Sequence, residues 1–229
     1  MSVAAARRKR EKEARREAIL RAADEVIART GARHLTMDEV ARAAELSKGT
    51  LYLYFAGKDA LFAAVAERNI SEKLPALRAA VESAEDGLGE VLALHDAWHV
   101  ELSRTPHVFR FMIEWFLEPR IDDRSEAFQR YRARVRETIG LLVRALERGQ
   151  RDGSIRADID ITHHAMHIWS STLGVMLMHR NAESVSKRIS LPVELGRLPD
   201  LHRDTLRRTL APASASPGSS SSPAEGVAS

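Results

Sequence analysis

The sequence predicts an all-α protein, on three observations. Apolar residues recur at helical spacing through most of the chain. Ser and Thr stand where helices should begin, and Gly or Pro where they should end. From Ser71 onward no strand-type alternation of useful length occurs.

The first helix is expected over roughly residues 11–29. Ile19, Ala23, Val26, Ile27 and Thr30 share one face, with Arg16, Glu17, Arg21, Asp24 and Glu25 between them. Gly31 is placed to end it. Thr36-Met37-Asp38-Glu39 then has the capping-box form, with Thr at the N-cap and Glu three residues on. Val40, Ala41 and Ala44 give the second helix a small apolar face. A tight turn at Glu45-Leu46 leads to a second cap, Ser47, and a short helix over 48–54. Leu51 and Phe55 lie four apart and should root that helix in the core. Tyr52 and Tyr54 cannot both join them there, so at least one should face outward. A fourth helix starts near Gly57-Lys58-Asp59 and carries Leu61, Phe62, Val65 and Ala66. Four helices in under 75 residues, two of them short and joined by a tight turn, describe a helix-turn-helix module.

Helices are next expected over 81–103, with a break or late start at Gly87 and Gly89, then over 106–117, ended by Pro119. A long one follows over 125–151, closed by Gly149 and Gly153. Another covers 161–179, apolar nearly all round and expected to be buried on several sides. Pro192 and Pro199 bracket a loop before a last helix over 201–210. Residues 211–229 are Ala, Ser, Pro and Gly apart from Glu225 and Val227, too poor in apolar side chains to build a core, and should be disordered.

Composition narrows the function classes. The 229 residues are 44% hydrophobic and 29% charged, as in ordinary globular proteins. The absence of Cys excludes a disulfide framework, an iron–sulfur cluster, a Cys-ligated zinc and a thiol nucleophile. It fits a reducing cytoplasm. The start, MSVAAARRKR, has no apolar segment behind its charges and does not read as a secretory signal. The longest apolar run, Ile168 to Met178, is interrupted by Ser170, Ser171 and Thr172, so no membrane span is expected.

Charge is distributed unevenly. Residues 1–73 hold 15 Lys/Arg against 11 Asp/Glu, while the remaining 156 hold 20 against 21. The basic excess is densest at Arg7, Arg8, Lys9, Arg10, Lys12, Arg15 and Arg16. A basic arm beside a small helical module is an electrostatic footprint for a polyanion.

The run from Thr36 to Phe62, TMDEVARAAELSKGTLYLYFAGKDALF, resembles the signature of the TetR family of transcriptional regulators. The likeness covers about 60 residues, from Glu13 to Lys73. It implies a homodimer with an all-helical ligand-binding domain, and an operator released when a small molecule binds. The turn departs from the family pattern: Glu45 stands where the family usually has Gly. A left-handed residue there costs a side chain roughly 1–2 kcal/mol.

The resemblance carries DNA-contact roles onto Thr36, Ser47, Lys48, Gly49, Thr50, Tyr52, Leu53, Tyr54 and Lys58. Elementary chemistry agrees with them. Ser47 caps the short helix, and Gly49, a poor helix former, suits a backbone that something approaches closely. The phenols of Tyr52 and Tyr54 can bond phosphate. Lys58 and Thr36 lie at helix starts, where the dipole favours an anion. Leu53 can touch a thymine methyl, which leaves polar base readout to Lys48 and Thr50.

The expected organisation is a basic arm (1–12), a helix-turn-helix DNA-binding domain (13–73), a helical ligand-binding and dimerisation domain (74–210) and the tail (211–229). An effector pocket is expected at Trp98, Phe111, Met112 and Trp115, and a dimer surface on the helices at 161–179 and 201–210. The pairs His95/His99 and His163/His167 have a spacing that can hold a metal. Nothing completes a metal motif, and no metal or other cofactor is expected. Two other classes were weighed. An enzyme is disfavoured by the lack of a P-loop and of a Gly-x-Ser-x-Gly elbow. The other is a helical interaction protein whose basic arm binds an acidic partner or a membrane surface; the scarcity of bulky apolar residues in the arm weakens its membrane form. The sequence therefore reads as a cytoplasmic, ligand-responsive repressor. It would bind a pseudo-palindromic double-stranded operator as a homodimer and leave it for a small apolar or amphipathic effector.

Overall fold

The computed structural model describes residues 3–105, 109, 113, 125–190 and 194–212, Arg33 by its backbone alone. Among them every regular element is helical: α1 (Val3–Thr30), α2 (Met37–Ala43), α3 (Lys48–Tyr54), α4 (Lys58–Glu82), α5 (Gly87–Arg104), α6 (Glu126–Asp152), α7 (Ile161–Arg180), α8 (Ala182–Ile189) and α9 (Leu198–Leu210), with short 3-10 turns before α2 and α9. The expected helix at 106–117 falls mostly outside the described residues, as does the tail from 213.

Helix ends follow the caps. The Thr36 hydroxyl accepts from the Glu39 amide at 3.2 Å, and the Glu39 carboxylate accepts from the Thr36 amide at 3.1 Å. The Thr36 hydroxyl also donates to that carboxylate at 2.9 Å, and this bond first, then the one from the Thr36 amide, holds the Glu39 carboxyl below its ordinary pKa. Ser47, Asp86, Ser125 and Asp160 cap α3, α5, α6 and α7. Gly31 (φ 85°) and Gly153 (φ 78°) turn the chain where α1 and α6 stop. α1 starts eight residues earlier than its apolar face predicts, because exposed pairs such as Arg7–Glu11 extend it without a core.

Two cores divide the chain. The first gathers Ile19, Leu20 and Val26 of α1, Val40 of α2, Leu51 of α3, Phe55 after it, and Leu61 to Ala66 of α4. The second gathers Leu74 and Leu77 of α4, Val91 to Leu94 of α5, Leu141 to Leu146 of α6, Ile168 of α7 and Leu206 of α9. Two helices belong to both. α4 runs through each, with Pro75 at the seam. α6 sends Ala127 into the first core, with Phe128 and Tyr131 packed against it. Arg68 of α4 pairs with Glu17 (2.7 Å) and Asp24 (3.3 Å) of α1, and Arg78 of α4 with Glu137 of α6.

α7 departs from expectation. It buries one stripe, Ala165, Ile168, Thr172 and Met176, while Met166 and Met178 stay exposed. Pro199 also differs: it lies in the first turn of α9, where its missing N–H has no helical partner to lose, and so starts a helix that was expected to begin after it.

The turn between α2 and α3 is a Schellman motif. Leu46 N–H donates to the Ala41 carbonyl (2.8 Å) and Glu45 N–H to that of Arg42 (3.1 Å). Glu45 occupies the left-handed position at φ 54°. Glu45→Gly should relieve that strain, partly offset by the freer unfolded chain. A net gain of about 1 kcal/mol is expected, or about 2–4 °C in thermal midpoint for a chain of this size. An unchanged or lower midpoint would show that Glu45 sits there at no cost.

Candidate functional site

The outer surface of α2, the turn and α3 brings the sequence-selected residues together. Leu51 is fully buried and Phe55 is 3% exposed, so both root α3 as expected. That fixes which side chains face out. Leu53 is 81% exposed and Tyr52 45%, while Tyr54 is half-buried against the first core. A leucine left this open on a seven-residue helix is covered by none of the described residues. The Ser47 hydroxyl accepts from the Thr50 amide at 3.1 Å and shares a hydrogen bond with the Thr50 hydroxyl at 2.8 Å. A Cβ built on Gly49 would meet nothing closer than the Ser47 hydroxyl at 3.9 Å. The protein's own packing thus has no need of glycine there.

The edges are cationic. Lys58 opens α4, with its ammonium 5.1 Å from the centroid of the Phe62 ring. Arg7, Arg8, Lys9, Arg10, Lys12 and Arg15 are exposed along the first half of α1. Arg16 differs from its neighbours: its guanidinium lies over the Phe55 ring, 5.4 Å from the centroid, which ties α1 to the end of α3.

Lys48 is held by Asp38 of α2, with Nζ 2.8 Å from Oδ1. That bond keeps its pKa above the ordinary value. A polyanion must displace or share this partner. Asp38→Asn should therefore tighten DNA binding about twofold to fivefold per chain, since an exposed ion pair holds weakly. Fluorescence anisotropy on an operator duplex measures it. Weaker binding would mean that Asp38 aims Lys48 and does not compete for it.

A cavity of about 40 Å³ lies between α5, α6 and α7. Trp98 lines it, as the sequence suggested. Phe111, Met112 and Trp115 lie outside the described residues. The lining that sequence reasoning missed includes Leu94, Leu142, Ile168 and Met176, with His95, Thr138 and Thr172 as its polar members. Only helical periodicity pointed to these residues, and it says which face is apolar without saying what that face meets. His163, by contrast, turns to the cap of its own helix, Nδ1 lying 2.8 Å from Asp160 Oδ1. Among the described residues no group of three or more His, Asp or Glu could hold a metal ion. No helix among them is long and apolar enough to cross a membrane.

Comparison with known proteins fits this geometry. Residues 19–65, the segment that builds α1 to α4 of the first core, match the family described as bacterial regulatory proteins, tetR family. The chain is a member of the tetR family. It is 36% identical over 70 residues to YvdT of Bacillus subtilis, an uncharacterized HTH-type transcriptional regulator, covering 31% of this chain and only 36% of that relative's length. It is 28% identical over 158 residues to NicS of Pseudomonas putida, an HTH-type transcriptional repressor, covering 68% of this chain and 72% of that one. The fold is that of FadR from Bacillus subtilis, solved with stearoyl-CoA, at a TM-score of 0.65 and 18% identity over 85% of this chain and 98% of that one. This tetR-family chain is thus a helix-turn-helix, DNA-binding transcriptional regulator with a helical second unit.

Proposed function

We propose that this regulator is a repressor: a homodimer that grips a pseudo-palindromic operator and lets go when a small apolar or amphipathic effector enters the cavity behind α5. The observation that carries this reading is the outward face of α3, with Leu53 and Tyr52 exposed, Lys48 beside them and Leu51 fixed beneath. Lys48 and Thr50 would read base edges, Leu53 a thymine methyl, and Thr36, Ser47, Tyr52, Tyr54 and Lys58 the backbone. Gly49 leaves room for the duplex to approach. The division into arm (1–12), DNA-binding domain (13–73) and ligand-binding and dimerisation domain (74–210) belongs to the same reading. So does its place of work, on DNA in the cytoplasm.

Dimerisation is supported by the bare face of α7 and α9, where Met166, Met178 and Leu201 are exposed. Two copies of α3 on a two-fold axis would meet half-sites about one helical turn, ~34 Å, apart. Release is supported by α4 and α6. Each is shared by both cores, so a ligand that parts α5, α6 and α7 would shift the α6 end that touches the DNA-binding unit. A small change in tilt then costs several phosphate contacts.

Sequencing the DNA that the purified protein retains from a genomic pool tests the reading, with the salt dependence of the recovered site as its companion. One palindromic motif with affinity falling steeply in salt is expected. Retention without sequence preference would end it. Deleting residues 1–10 removes Arg7, Arg8, Lys9 and Arg10 and should lower the salt slope by several units per dimer, each lost phosphate contact contributing about 0.9. An identical slope would show the arm to be a bystander.

A further inference from the structure

Four imidazoles meet on the flank of the cavity. His95 and His99 stand one turn apart on α5, ring centroids 4.7 Å apart. His202 of α9 lies 5.2 Å from His95, and His179 of α7 lies 6.3 Å from His99. Three of the four bury a ring nitrogen that has no hydrogen-bond partner: Nε2 of His95, Nε2 of His99 and Nδ1 of His179. His95 is only 3% exposed and lines the cavity itself. The large majority of buried side-chain polar atoms in native proteins have a hydrogen-bond partner, from protein, water or ligand. Three orphans in one cluster point to an absent partner.

We infer that this cluster takes the carboxylate head group of an otherwise apolar acid, and that a proton is taken up from solvent as the acid binds. This rests on the cavity being the effector site. The charged surroundings favour an anion. Asp96 bonds His95 Nδ1 at 3.1 Å, but Arg203 of α9 clamps that carboxylate at 2.9 and 3.1 Å, so its charge is already met. Asp200 also acts on His95, and His167 of α7 on His202. α6 contributes Thr138 and no charged group to the described lining, and α4 contributes none. Burial first, then repulsion from neighbouring histidines, pushes His99 and His202 both down to about 4, and burial lowers His95. An anion among them reverses that balance and gives the added proton a counter-charge.

A metal suits the site less well. Among the described residues no group of three or more His, Asp or Glu is placed to hold a metal ion. Size agrees with a head group. The free volume of about 40 Å³, a few times the ~10–15 Å³ that one water needs, has no room for a chain, and of the four rings His95 alone lines it, at the junction with the cluster. The apolar body would lie against Trp98, Leu142, Ile168 and Met176 only by parting the helices that carry them, the motion that release requires. No bond of the acid itself changes: it arrives ionised, one imidazole nitrogen takes a proton from water or the buffer acid, and an ion pair forms.

Calorimetry on the full chain tests this with octanoate, dodecanoate and phenylacetate against their primary amides, at pH 6 and 8 and in buffers of different ionisation enthalpy. At least one acid is expected to bind ten or more times tighter than its amide, with uptake approaching one proton. Affinity should rise as pH falls, by up to about tenfold per unit between the bound and empty histidine pKa values. In His99→Phe and, separately, His202→Asn, the difference between acid and amide and the pH slope should both vanish while the thermal midpoint holds. Equal binding of acid and amide, no proton uptake, no binding of any acid, or stoichiometric zinc lost in the same variants would each overturn the inference. Operator release by an amide as readily as by its acid would spare the effector reading and end the head-group assignment. An acid that binds the histidines without loosening the operator would do the reverse.

Discussion

Lys48→Ala, Tyr52→Ala and Lys58→Ala combined should weaken operator binding by about four orders of magnitude while leaving the fold and the proposed dimer intact. A hydrogen bond from a protein group to a charged phosphate contributes about 1.5–3 kcal/mol where it is desolvated, and less at an exposed edge. Taking ~1 kcal/mol for each side chain and two copies per dimer, each substitution costs about 30-fold. All three side chains project from the surface of the first core, so their removal leaves Leu51, Phe55 and Leu61 in place. The single variants should also differ in kind. Lys48→Ala should relax sequence preference, because Lys48 is assigned to base edges. Lys58→Ala should weaken every duplex alike and reduce the salt slope. Anisotropy on operator and scrambled duplexes separates the two. Unchanged affinity in the triple variant, with an intact circular-dichroism spectrum, would remove α3 from the groove.

Chain order revealed element ends better than it revealed neighbours. Thr36, Ser47 and Ser125 announce helix starts because a cap is a bond between residues three apart. Gly31 and Gly153 announce stops because positive φ is a property of one residue. The outward face of α3 was half legible for the same local reason: Leu51 and Phe55 leave no core room for both Tyr52 and Tyr54, but that spacing leaves open which of the two faces out. The cavity was not legible. Its walls come from α5, α6 and α7, and which apolar faces meet depends on helix crossings that no short window encodes. The histidine cluster shows the limit clearly. The i,i+4 pair His95/His99 stood out, but His179 and His202 join it from helices far along the chain. α7 misled in the opposite direction: its apolar composition suggested burial all round, whereas a single chain covers one stripe and leaves Met166 and Met178 bare.

One crossing was written in the sequence and read only as a possible break. Gly87 starts α5 where it meets the last turns of α6. A Cβ built there would lie 2.1 Å from the Gly149 nitrogen, 2.3 Å from its Cα and 2.6 Å from the Ala145 carbonyl oxygen. All three are backbone atoms inside a helix, so no side chain can swing aside. Gly87→Ala must part the two helices. The Gly87 N–H to Asp152 bond (2.9 Å) and the Leu88 N–H to Ser154 bond (3.1 Å) would go, and Arg148 would be drawn off Glu90. The second core would open along Val91 and Leu146. Overpacking of this kind costs at the upper end of about 1–3 kcal/mol or beyond. That predicts a fall of about 6–12 °C in thermal midpoint for a chain of this size. Gly89→Ala is the matched control, two residues on in the same helix. Its Cβ would meet only the Asp86 carboxylate at 3.2 Å and the Ala84 methyl at 3.5 Å, and the gain in helix propensity offsets that squeeze. Its midpoint should stay within about 2 °C, a change of roughly half a kcal/mol. Should both variants melt alike, α5 and α6 do not touch at Gly87, and the wall they build around the cavity would have to be redrawn.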